Sequence, residues 1–138
     1  MILVIRISGL VEIPSGVQEA LFRMRLRRKY AAVLIHPTAE NKHLLQYVRN
    51  FVAFGPISKE LLTLLLEKRG VSMSKKKVDA KAVIEHLDKK TLEELGLKPF
   101  FRLHPPRGGI NSKLHYPLRD GVLGDNKEDI NELLRRML

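Results

Sequence analysis

An α+β fold, a β-α-β-α-β core followed by a mainly helical C-terminal extension, is predicted by three features of the sequence. A β-branched apolar run, Ile2 to Ser8, opens the chain; two helix-periodic segments then alternate with two further short apolar runs; beyond Pro56 the apolar residues shift to leucine-rich helical spacing. The predicted division places the core at residues 1–57. The extension covers residues 58–138 and includes a basic Pro/Gly loop and a final helix.

The first run, ended by Gly9, suits a largely buried strand. Ser15 and Gln18 have capping-box spacing, and Val17, Ala20, Leu21 and Met24 recur on one face, which predicts a helix from Gly16 to about Arg28. Tyr30 to Ile35 reads as a second strand. Pro37 and Thr38 mark a helix start, with Leu44, Leu45 and Val48 as its apolar stripe. Phe51 to Phe54 is the third strand, closed by Gly55 and Pro56. Two amphipathic helices joining three short strands predict one sheet with helices covering one face.

In the second half, Ser58 is placed to cap a helix carrying Leu61, Leu62, Leu64, Leu65 and Leu66, ended by Gly70. Asp79 to Leu87 reads as a shorter helix, and Thr91 with Glu94 repeats the capping spacing before Leu95 and Gly96. Phe100 to Leu103 is predicted as a short strand. Pro105 to Gly124, rich in Pro and Gly, reads as an extended surface loop. A last helix follows, capped by Asp125 or Asn126, with Ile130, Leu133, Leu134 and Met137 on one face.

Composition narrows the function. The 138 residues hold 25 Lys and Arg against 15 Asp and Glu, a formal charge of +10, which points to a polyanionic partner. The absence of cysteine excludes disulfides, thiolate metal sites and thiol catalysis, and leaves a reducing cytoplasm as the expected compartment. The apolar start is broken by Arg6, and no stretch approaches ~20 uninterrupted apolar residues, so neither a signal peptide nor a membrane partner is expected.

Two windows without any carboxylate carry much of the charge. The first, Ala20 to Ala39, contains Arg23, Arg25, Arg27, Arg28 and Lys29. Multiple cations release condensed counterions from a nucleic acid, which makes phosphate contact the functional reading; cations suited to a helix C-terminus are the bland alternative. The second, Lys98 to Arg119, contains Arg102, Arg107, Lys113 and Arg119 with His104 and His115. Pro105 and Pro106 hold the backbone extended, Gly108 and Gly109 let it approach a phosphate closely, and Arg107 offers a planar fork. A connecting loop has no structural need for so many cations and no anions. Arg49 is a lesser candidate contact.

His36, His43, His86, His104 and His115 show no ligand spacing, so no metal is expected. No Walker loop, dinucleotide fingerprint or nucleophile elbow occurs, and neither a cofactor nor a small-molecule substrate is expected. Most aromatics, Phe22, Tyr47, Phe51 and Phe54 among them, fall within regular elements where a core would want them, and the first strand has none. Recognition by shape and phosphate geometry therefore fits better than base reading. Ser15 to Arg23 resembles the phosphate loop of acylphosphatases, which provides an enzymatic alternative. Glu19 stands where that family has a second glycine, however, and no asparagine lies in Ala31 to Ile35.

The core order, Phe51-Val52-Ala53-Phe54-Gly55, Phe101-Arg102-Leu103-His104-Pro105-Pro106-Arg107-Gly108-Gly109, and the segment from Gly124 through Asp129, Ile130 and Asn131 to Met137 together resemble one family. It is large-subunit ribosomal protein thirty by its bacterial name, large-subunit protein seven in eukaryotes. The diglycine segment and last helix are similar to the longer archaeal and eukaryotic form; the short bacterial form would stop near Ile57. Residues 71–98 match least, and the long basic N-terminal extension of eukaryotic members has no counterpart, which points to an archaeal-type member. The resemblance implies a three-stranded antiparallel sheet, ferredoxin-like in character. It also implies a structural role in the large subunit: binding large-subunit rRNA, beside neighbouring ribosomal proteins and near the 5S rRNA. An RNA-binding module acting outside the ribosome is the remaining alternative.

Overall fold

The computed structural model describes residues 2–7, 13–69, 80–87, 97–98, 100–107, 112–115 and 121–137. The core runs β1 (Ile2–Arg6), α1 (Ser15–Arg23), β2 (Ala31–Ile35), α2 (Ala39–Val48) and β3 (Val52–Pro56). β1 lies between β2 and β3 and is antiparallel to both, pairing Val4 with Val33 on one side and with Phe54 on the other. This is the expected β-α-β-α-β core with its three-stranded antiparallel sheet.

The extension contributes α3 (Lys59–Arg69), α4 (Ala80–Leu87), β4 (Phe101–Arg102), β5 (Ser112–His115), β6 (Gly121–Asp125), a 3-10 turn (Lys127–Asp129) and α5 (Ile130–Met137). Three of these elements enlarge the sheet to the order β4-β2-β1-β3-β6-β5. The predicted strand at Phe100 to Leu103 is β4, antiparallel to β2. Within the stretch expected to be only a loop, β6 runs parallel to β3 and β5 parallel to β6. The predicted helix start at Thr91 lies outside the described residues.

The two core helices cover one face of the sheet, as expected, and the helices of the extension cover the other. Alternation along β1 sends Leu3, Ile5 and Ile7 into a cluster with Leu61, Leu65, Leu66, Phe101 and Leu134. Val4 packs on the opposite face with Val17, Leu21, Leu26, Leu45 and Val48. The contiguous apolar run of β1 is thus the signature of a strand buried on both sides. α5 closes the first cluster with Ile130, Leu133, Leu134 and Met137, all buried as their spacing requires. Asn131 ties this helix to the end of β3: its Oδ1 accepts from the Ser58 N–H at 2.9 Å and its Nδ2 donates to the Pro56 carbonyl at 3.3 Å.

Two helix ends differ from expectation. Ser15 is the first residue of α1, not its cap, and Pro14 precedes it without a side-chain cap. The helix stops at Arg23, not near Arg28, because Arg25 takes a left-handed conformation at φ 66. The Arg25 N–H then bonds to the Phe22 carbonyl and the Leu26 N–H to that of Leu21, a closing pattern that turns Leu26 into the core. Glycine usually fills such a position; arginine there carries no local signal of a helix stop. Thr38 caps α2 as expected, accepting from the Asn41 N–H at 3.2 Å, and Ser58 accepts from the Leu61 N–H at 3.3 Å at the start of α3.

Candidate nucleic-acid interface

The basic turn after α1 is held in place from below. Arg6 is fully buried beside Leu26, and its guanidinium donates to the Leu26 carbonyl at 2.6 Å. Burial pushes this group below the usual arginine range by desolvation of its charged form. The main chain of the same residue accepts from the Tyr30 N–H at 2.7 Å. Tyr30, like Arg25, has a φ of 66, so two non-glycine residues hold a left-handed conformation at the ends of one short turn.

β4 extends along the edge of β2 beside this turn. Ala31 is paired with Arg102, and the Leu103 N–H donates to the Tyr30 carbonyl at 3.1 Å. The pairing brings two windows far apart in sequence onto one surface. Arg25, Arg27, Arg28 and Lys29 from the first and Arg102 from the second line a cleft of about 370 Å³. Tyr30, Ala31, Phe100 and Leu103 complete its described lining, which contains no Asp or Glu. Lys29 Nζ lies 5.1 Å from the centre of the Tyr30 ring, and the Arg102 guanidinium lies 5.8 Å from that of Phe100. Such contacts hold the cations over apolar rings without neutralising them.

The other expected contacts distribute differently. Arg23, on the last turn of α1, pairs with Glu19 at 2.6 Å; both side chains are well exposed, where such pairs contribute little. A carboxylate at that point repels an acyl phosphate, which argues against the acylphosphatase-like reading. Arg49 is exposed at the end of α2. His104 and Arg107 are exposed along a segment docked on α5: the His104 N–H donates to the Met137 carbonyl and the Arg107 N–H to the Arg136 carbonyl, both at 2.9 Å. Arg136 Nε returns a bond to the Arg107 carbonyl at 2.9 Å. Arg107, Arg135 and Arg136 line a second depression together with Glu132, so this surface is basic but not free of carboxylate.

Lys113 and His115 lie on β5, with side chains outside what the structure describes. Gly108, Gly109 and Arg119 also lie outside the described residues. Tyr30 and Phe100 in the first lining and Arg135 and Arg136 in the second were not among the expected contacts, while Phe22 and Tyr47, expected in the core, are exposed. Placement beside a cationic turn was the missing information, and it depends on strand pairing across the chain. Among the described residues, no group of three His, Cys, Asp or Glu is arranged to hold a metal ion. No described helix is long and apolar enough to cross a membrane.

Fold and site together define a class: a small basic α+β scaffold with a cationic cleft whose described lining holds no carboxylate, suited to a polyanion. No protein-family model matches the chain. It is, however, 39% identical over 153 aligned positions to the large ribosomal subunit protein uL30 of Archaeoglobus fulgidus, covering 99% of each chain. It is 37% identical to that of Aeropyrum pernix, over 98% of this chain and 97% of the relative, and 33% identical to that of Methanosphaera stadtmanae over the full length of both. The chain belongs to the large ribosomal subunit protein uL30 family and is of its archaeal type.

Proposed function

We propose that this protein is a structural constituent of the large ribosomal subunit that binds and organises large-subunit rRNA. The observation that carries this reading is the convergence of Arg25, Arg27, Arg28 and Lys29 with Arg102 in one cleft, across the β2–β4 pairing. Family membership supplies the partner; the geometry supplies the means. Phosphates are drawn to the cationic turn, and the rigid sheet holds the contacted RNA segments in register while repulsion between them is neutralised. Arg107 offers a second contact from the segment docked on α5, with Lys113, His115, Arg119, Gly108 and Gly109 in the same proposal. Arg23, Arg49 and His104 are outlying contacts. The work is architectural and requires neither cofactor nor turnover.

The protein acts in the cytoplasm, within the assembled subunit and beside other large-subunit proteins. A position near the 5S rRNA belongs to the same proposal and rests on the family resemblance. The test is the affinity of the full chain for large-subunit rRNA over a series of salt concentrations. The double variant Arg27→Ala/Arg28→Ala is expected to lower the log-log salt slope by about two units, one for each lost phosphate contact. An unchanged slope would remove the turn from the interface.

A further inference from the structure

The cleft between the basic turn and β4 has features that phosphate binding alone does not need. Its volume of about 370 Å³ lies within the ~300–1,000 Å³ typical of sites that enclose small organic groups. Its lining includes two aromatic rings and two aliphatic side chains, Ala31 and Leu103. Tyr30 and Phe100 are only half-buried, and each has a cation over its ring, at 5.1 and 5.8 Å. Of the two cations, the Arg102 guanidinium is planar, and where it rests on Phe100 it offers a flat, charged surface within the lining of the cleft. A duplex backbone lying across the cations would leave this interior unused.

From this geometry, and resting on the RNA-binding reading above, we infer that the cleft receives one unstacked RNA base. The base stacks on the Phe100–Arg102 pair, while its flanking phosphates lie on Arg25, Arg28 and Lys29 at the rim. Aromatic platforms beside cations are how proteins hold single-stranded bases, because every base has a π-face and every linkage a charge. Tyr30 has both its N–H and its carbonyl engaged, by Arg6 and Leu103, and Arg102 is paired with Ala31, so the turn and the strand bearing the pair are held together before RNA arrives. The contact is thus selective for a bulge or loop over a continuous helix.

The test uses the full chain and two RNA hairpins of equal length, one fully paired and one with a single bulged purine, titrated by fluorescence anisotropy at several salt concentrations. The bulged hairpin is expected to bind about tenfold more tightly. Phe100→Leu is expected to remove most of that advantage while leaving the salt slope unaltered, since it removes no charge. With 2-aminopurine as the bulged base, binding to the wild-type chain is expected to quench its fluorescence, a readout that does not depend on how any variant folds. Equal affinity for the two hairpins with a normal salt slope, or unquenched 2-aminopurine in the complex, would overturn the inference while sparing the RNA-binding reading. Absence of salt-dependent binding to either hairpin would overturn both.

Discussion

The buried guanidinium of Arg6 donates to the carbonyl oxygen of Leu26 at 2.6 Å, so a side chain of the central strand fixes the start of the basic turn. Its own carbonyl holds the other end through Tyr30 at 2.7 Å. Arg6→Met keeps most of the buried stem and removes the donor, leaving the Leu26 carbonyl without that bond. The expected cost is about 1–3 kcal/mol, read from denaturant unfolding. RNA affinity is expected to fall with no change in salt slope, because Arg6 is enclosed and touches no phosphate. A slope lower by one would show that Arg6 itself meets the RNA.

Arg25 poses the opposite trade between stability and binding. Its left-handed φ of 66 strains a residue with a Cβ, and glycine relieves that strain. Arg25→Gly is expected to raise stability by about 1 kcal/mol and to lower the rRNA salt slope by about one unit. Thermal melts and salt titrations of the same preparation check both. A less stable variant would mean that the side-chain contacts of Arg25 outweigh the backbone strain.

Gly55 and Gly16 respond differently to the same added methyl group. At Gly55, in β3, a Cβ would run into the Lys127 carbonyl oxygen and lie 2.9 Å from Cγ2 of Ile130, forcing α5 and its preceding turn off the sheet. Gly55→Ala is expected to cost about 1–3 kcal/mol. At Gly16 the nearest atom is the hydroxyl of Tyr47 at 2.7 Å, the mobile end of a side chain that is 55% exposed. Gly16→Ala, in the first turn of α1, is expected to stabilise by about 0.5–1 kcal/mol once Tyr47 rotates away. Denaturation midpoints of the two variants should move in opposite directions.

Arg102 and Arg107 are neighbours in sequence but lie on different surfaces, one in the cleft beside β2 and the other against α5. Each Ala variant is expected to lower the salt slope by about one unit. Only Arg102→Ala is expected also to weaken preference for a bulged hairpin, because only Arg102 rests on Phe100. Equal loss of that preference in both variants would place both arginines at one RNA feature.

Local signals carried much of the fold, since β1, α2, β3 and α5 each follow from apolar spacing and α2 also from its Thr38 cap, whereas α5 begins at Ile130, after a 3-10 turn, and not directly behind the expected cap at Asp125 or Asn126. Long-range pairing accounts for most of what was missed. β6 has glycines at both Gly121 and Gly124, a composition that reads as loop, and becomes a strand only because β3 offers a parallel partner. The end of α1 was hidden for a different reason, as Arg25 occupies a conformation that normally announces itself with glycine. The cation windows were visible as charge density. Their union was not, because nothing near Arg102 in sequence reveals that it pairs opposite Ala31.

The most direct test of the central claim is sedimentation of a native-host lysate through sucrose gradients at moderate and high salt, with each fraction probed for this protein. Co-sedimentation with the large subunit at about one copy each is expected, with release only at higher salt, as counterion-linked phosphate contacts require. Absence from large subunits, with the protein confined to light fractions at moderate salt, would contradict it.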